Sequence, residues 1–346
     1  MKKRTRVFLF VSTGILVLGL GTGLVASYMG GFQNLVLIGT DGPDELAYVP
    51  RDAQMVAYAD VHTIATSALS QKMHETAQGK RPENTFEEHT GVNIERDVDH
   101  VLATATGSSD STTQQPPLVL ARGRFDAVRI EGAMREQGAT VQDYRGTRLL
   151  ALAAEKGHGD IALAFVEPNL VAFGPTALVR RAIDLKIDRT GSIKENAEVM
   201  GMIRDVKNGD TWAVARFDAI ARRATLPPAI AGRLPAINWF SATTNVDDGV
   251  HGSIRAEARD DAAAQDLRDV VRGFMALARM QAGNKAGFGL LVDSLQLSGE
   301  GKDVTLSFSV PAEMFDQLAA MRAQHGVQGA PSTPATPAPP GPRPGA

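Results

Sequence analysis

The chain of 346 residues contains no cysteine. That absence excludes disulfides, thiolate chemistry, zinc ribbons and an N-terminal lipid-modified cysteine, although it assigns no compartment. A large excess of either sign of charge is missing as well: the formal net charge is -3 and the pI is about 6.2. A nucleic-acid binder carries a basic footprint, so nucleic acid is not an expected partner. Metal-binding histidine pairs are missing too. His62, His74, His89, His100, His158, His251 and His325 are each more than ten residues from the next, which removes HxH, HxxH and HExxH motifs. The GLGTGL run at Gly19 fails the dinucleotide spacing, GEGKD at Gly299 fails that of a phosphate loop, and no G-x-S-x-G elbow occurs. Neither a cofactor nor a metal is expected, and no catalytic residue is nominated.

What is present begins at the N-terminus. MKKRTR places four positive charges in residues 1–6, and Val7–Ser27 then runs for 21 residues without a charge. At about 1.5 Å per residue that run spans roughly 30 Å, a bilayer's hydrocarbon core. The positive-inside rule keeps residues 1–6 in the cytoplasm and exports the rest, which makes 7–27 a single-pass signal-anchor in a bacterial cytoplasmic membrane. A cleaved signal peptide is the competing reading, with Val25 and Ser27 as small residues before the cut; the length of the apolar run favours the anchor. Gly19 and Gly23 form a small-xxx-small spacing of the kind that lets two such helices approach. Residues 28–45 read as a glycine-hinged connector. At the other end, 326–346 is rich in proline and almost free of charge, so it reads as a disordered tail that cannot offset its ordering entropy.

Between these ends the pattern is α+β: antiparallel, hairpin-rich sheets with packed helices. QMVAYAD, DHVLATAT, PLVLARGRF and TWAVARF read as strands. Hairpins are expected around Arg145-Gly146, Glu167-Pro168, Asp247-Asp248-Gly249 and Gly299–Lys302, the last joining LLVDSLQLS to DVTLSFSV. Helices are expected in VHTIATSALSQKMHETA, TALVRRAIDLK, NAEVMGMIRDV, DDAAAQDLRDVVRGFMALARMQ and AEMFDQLAAMRAQ.

The tetrapeptide RFDA occurs at Arg124–Ala127 and again at Arg216–Ala219. In both copies an apolar strand runs into an aspartate followed by helical spacing, which predicts that Asp126 and Asp218 are helix N-caps; Asp60 in VAYADVHTI follows the same pattern. Pro311 starts a helix after a strand by another route, since its missing N–H costs nothing there. Asp52, Val56, Ala57 and Asp60 are echoed 158 residues later by Asp210, Val214, Ala215 and Asp218. The echo suggests two related modules, 46–206 and 207–325.

One cluster could hold acid, base or ligand groups. NIERDVDH, from Asn93, alternates carboxylates as a calcium loop does, but with Glu95 first the turn glycine is His100 and the closing glutamate is Thr106, so that match fails. Asp97, Asp99 and His100 remain the candidate ligand or metal group, although as a solvated strand entrance they need no function.

The order YVPRDAQMVAYADV, HTGVNIERDVDHVL, LVLARGRFDAVRIEGAM, YRGTRLLAL, ALAFVEPNLVAFGPTALVRRAID, GSIKENAEVMGMI and GDTWAVARFDAI resembles a family of bacterial membrane-anchored extracytoplasmic proteins, a domain of unknown function. The resemblance covers Leu46 to Ile220 and implies an anchored α+β domain; it carries over no catalytic residue. The expected function is non-catalytic binding or scaffolding of an envelope protein or ligand through a sheet face. An envelope-polymer hydrolase and a carrier of lipid or another apolar ligand are the alternatives.

Overall fold

A computed structural model describes residues 42–71, 87–88, 90–106, 116–153, 160–219, 236–247, 249–282 and 288–312. The anchor run, the AEMFDQLAAMRAQ helix and the proline-rich tail lie outside the described residues. Among the described residues no helix is long and apolar enough to cross a membrane.

The class is α+β, built on a large antiparallel sheet. Its strands are β1 (Ala53–Asp60), β2 (Val98–Thr106), β3 (Leu118–Gly123), β4 (Thr140–Tyr144), β5 (Thr147–Leu152), β6 (Ile161–Glu167), β7 (Leu170–Pro175), β8 (Thr211–Arg216), β9 (Ile237–Val246), β10 (Gly249–Ala258), β11 (Gln296–Ser298) and β12 (Asp303–Pro311). All 12 join one sheet in the order β11-β12-β10-β9-β8-β1-β2-β3-β7-β6-β5-β4. The helices are α1 (Val61–Ala65), α2 (Ile94–Asp97), α3 (Ala127–Glu136), α4 (Thr176–Asp188), α5 (Ala197–Val206), α6 (Asp261–Ala282) and α7 (Phe288–Ser294). A 3-10 turn, Asp44–Tyr48, precedes β1.

Alternation along the strands sorts side chains onto two faces. Leu118 and Leu120 of β3 join an upper core with Leu102, Leu149, Val179 and Ile183 of α4, and Val199 and Ile203 of α5. Val119 joins a lower core with Val101, Leu150, Leu163, Val61 of α1 and Ile130 of α3. Further along the lower side, Ala263, Ala264 and Leu267 of α6 pack on Ala256 and Val304, with Phe240 against them. Because helices α4 and α3 cover its two faces, β6 is apolar almost throughout instead of alternating.

The Arg145-Gly146 turn has positive φ at both residues, 51° and 78°, as a two-residue hairpin of this kind requires. Arginine is an unusual occupant; its guanidinium is held by Asp184 at 2.8 Å and Asp188 at 2.7 Å, which ties the β4–β5 hairpin to α4.

Two expected elements came out differently. Phe288–Ser294, the start of the expected LLVDSLQLS strand, is helical, and only Gln296–Ser298 pairs with β12. A short apolar run does not distinguish a buried strand from a buried helical turn. The helix after β1 stops at Ala65, where Thr66 Oγ1 turns back onto the His62 carbonyl at 2.9 Å. A new turn then begins at Ser67, whose hydroxyl accepts from Ser70 N at 2.7 Å.

The sheet runs without a break through the junction of β1 and β8. There Val56 and Val214, the two valines of the echo, are direct register partners. From that pair β2 and β9 follow outward on either side.

Candidate functional site

The deepest buried charge sits on the upper face, where the 3-10 turn crosses the ends of β1, β2 and β3. Glu45, 1% exposed, accepts from Arg122 Nε through Oε1. His100 Nε2 lies 3.1 Å from its other oxygen, an ion-pair distance at an angle too poor for a hydrogen bond. Arg122 continues the chain of contacts: its Nη1 donates to Glu167 Oε2 at 3.0 Å and to Asn169 Oδ1 at 3.0 Å. Glu167 also accepts from the Tyr48 hydroxyl. His100 and Arg122 are register partners on β2 and β3, so the sheet itself sets them side by side.

Beside this network stand two rings. Tyr58 is tilted against His100 with centroids 5.5 Å apart, and stacks on its register partner Trp212 at 5.4 Å. Trp212 is buried, and its Nε1 has no hydrogen-bond partner among the described residues.

The electrostatics follow from the geometry. Burial alone would raise the Glu45 pKa, but the facing His100 and Arg122 reverse the shift and hold it at about 2. The Tyr48 hydroxyl is pushed up by burial and by the Glu167 carboxylate it bonds. Tyr58 is pushed up by burial, with Asp60 and Glu45 adding to it. Glu167 is lowered, first by the Tyr48 hydrogen bond and then by Arg122 against the cost of burial. Glu45 is therefore a permanent acceptor, and neither phenol ionises readily.

A second acidic group lies at the same end of the sheet. Asp210 Oδ2 accepts from Val246 N at 2.9 Å. Burial raises its pKa despite that bond, and the neighbouring Asp60 and Asp247 add to the rise. Asp247 is itself paired with His251 at 2.9 Å.

Of the residues nominated from sequence, Asp97, Asp99 and His100 have separate surroundings. Asp97 belongs to the α2 turn, where Oδ2 accepts from Asn93 N at 2.9 Å and Arg96 donates to both oxygens at 2.8 Å. Its pKa is lowered chiefly by Arg96. Asp99 is exposed, at a point where the pairing of β2 with β3 shifts register between Val98 and His100. Only His100 enters the buried network. Among the described residues no three histidines or carboxylates are placed to hold a metal ion.

The aspartates of the strand-to-helix units also differ. Asp60 accepts from Thr63 N at 2.8 Å and Asp126 from Arg129 N at 3.0 Å, both as N-caps. Around Asp218 helical geometry already begins at Phe217, so Asp218 lies inside the first turn, where its Oδ1 accepts from Arg216 Nε at 3.1 Å.

Sequence reasoning missed Glu45, Tyr48, Arg122 and Glu167. A signal existed for Arg122, a charged residue at the inward position two beyond Leu120 on an apolar strand. The short DELAY turn carries no comparable sign.

Chemically, an imidazole beside a carboxylate is half of a general-base arrangement. Among the described residues, however, no serine or threonine hydroxyl is hydrogen-bonded to His100. The network's other work is plain: it pins the turn Asp44–Tyr48 to the sheet through charge that is matched on every side.

No family model, curated protein or solved structure matches the chain.

Proposed function

We propose that this chain is a membrane-anchored extracytoplasmic protein that binds another envelope protein, without catalysing a reaction, through the upper face of β9, β10, β12 and β11. The observation that carries the reading is the character of that face. One register row sets Thr243, Ser253, Ser307 and Gln296 side by side, and the next sets Ser241, Arg255, Thr305 and Ser298. Apart from Ser241, these residues are half-buried or exposed. Over β1, β2, β3 and β7, by contrast, apolar side chains and helices fill both sides.

The face has a defined edge. Thr243 Oγ1 donates to the Val206 carbonyl at the end of α5, and Arg255 bridges Asp205 at 3.2 Å and Asp303 at 2.7 Å. A flat array of short hydroxyls around one arginine offers many small donors and acceptors at low entropic cost, which suits a protein surface.

Anchoring by Val7–Ser27 in the bacterial cytoplasmic membrane, with residues 1–6 inside, is part of the same proposal and is supported by the charge pattern of residues 1–27. The facing Val56 and Val214 support descent of 46–206 and 207–325 from one duplicated unit. A binder is preferred to a hydrolase because Glu45, Arg122, Glu167 and Tyr48 are paired with one another and, among the described residues, no serine or threonine hydroxyl is hydrogen-bonded to His100. It is preferred to a lipid carrier because the apolar sheet surface is occupied by helices.

Photo-crosslinking of the full-length protein in cells tests the proposal. A crosslinker at Ser253 or Ser307 should give one discrete protein adduct, and a crosslinker at Asp143 on the far edge strand should not. Equal yields from all three positions would contradict it.

A further inference from the structure

Helix α6 (Asp261–Ala282) carries an apolar stripe that the domain covers over only part of its length. Ala263, Ala264 and Leu267 are buried in the lower core. Phe274 follows Leu267 by seven residues, about two turns, and so lies on nearly the same side of the helix. It is nevertheless 46% exposed, and Leu277 and Met280 are 54% and 78% exposed. Cover therefore ends near Val271, and the last turns of α6 project an apolar surface. A single exposed leucine needs no explanation, but three large apolar residues on one overhanging segment do.

The charges on that segment point one way. From Val270 to Ala282 they are Arg272 and Arg279, with no carboxylate. Arg272 pairs with Asp269 in the preceding turn at 2.8 Å, whereas no described carboxylate pairs with Arg279. Cations favour a helix C-terminus in any case. That preference explains neither the absence of acids nor the apolar residues between the arginines.

We propose that the overhang of α6 docks on an anionic phospholipid surface, the bilayer that holds the chain's own anchor. A basic edge beside Phe, Leu and Met is the composition of a helix that lies in the interface. The proposal rests on the anchor reading. Residues 28–41, 14 in number, extend at most roughly 50 Å at about 3.5 Å each.

The absence of cysteine makes a direct test available. Full-length Met280→Cys, labelled with an environment-sensitive fluorophore, is reconstituted into vesicles of phosphatidylethanolamine and phosphatidylglycerol. The label should shift to the blue and be quenched by brominated acyl chains, while the same label at Gln296→Cys on the upper face should do neither. Adding Arg279→Gln should reduce the ratio of docked to undocked label about fivefold, the factor that follows from about 1 kcal/mol per basic residue at an anionic surface. A water-like label on protein that floats with the vesicles would overturn the inference and leave the anchor standing. A blue shift that ignores brominated lipid and grows with protein density would overturn it in favour of a second copy. Protein that fails to float would remove the anchor and the inference together.

Discussion

A carboxylate as buried as Glu45 is tolerated only while its charge is matched. Its folded pKa is about 2 against 4.5 in an open chain, so it contributes stability that is fully present above pH 4.5 and is lost as the pH falls toward 2. The shift corresponds to about 3 kcal/mol. Denaturant unfolding at pH 7 and pH 3 should show about 2 kcal/mol of that loss in the wild type, and a flatter dependence in Glu45→Gln. The variant should also be less stable at pH 7 by about 3–5 kcal/mol, because Arg122 and His100 lose the charge they face. Identical acid profiles would show that Glu45 is not the group responsible. Asp210 has the opposite sign. Its raised pKa means that ionising it costs stability as the pH rises past 3.8. Asp210→Asn, which can still accept from Val246 N, should therefore raise the melting temperature at pH 7.

At the scale of the element, one tetrapeptide has two outcomes. Asp126 caps α3, so Asp126→Ala should cost about 1 kcal/mol, as should Asp60→Ala at α1. Asp218→Ala should cost less, because Asp218 stands inside its turn and pairs there with the exposed Arg216. Thermal denaturation of the three variants distinguishes these outcomes, and equal losses would return Asp218 to a capping role. The strand-aspartate-helix pattern was legible because caps and periodicity are local. What differs at the second copy is tertiary: Phe217 packs on Phe240 with centroids 5.7 Å apart, and the turn begins at that residue. The same limit applies to Phe288–Ser294, whose helix buries Val292 in a stretch that reads equally well as strand.

For the whole molecule, turn chemistry made the hairpins of β4–β5, β6–β7 and β9–β10 readable, and with them the antiparallel α+β class. The order of strands was not readable, since it depends on pairings such as β1 with β8 and β3 with β7 that no turn specifies. For the same reason the buried network was hidden: Arg122 meets Glu45 from 77 residues away, and Tyr48 meets Glu167 from 119. Proximity in the chain drew attention to Asp97 and Asp99, whereas proximity in space selected His100 alone. Deleting 326–346 should leave the melting temperature unchanged, as the proline-rich, nearly uncharged composition of that segment implies; a fall would show that the tail packs.

The most direct measurement uses Ser253→Cys as the only thiol in the chain and a membrane-impermeant maleimide. In intact spheroplasts the proposal predicts that the thiol labels without lysis and more slowly than in the purified protein, the behaviour of an upper face that lies outside the membrane and is occupied by a partner. Labelling only after lysis would put the domain on the wrong side, and labelling at the purified rate would show that the face is bare.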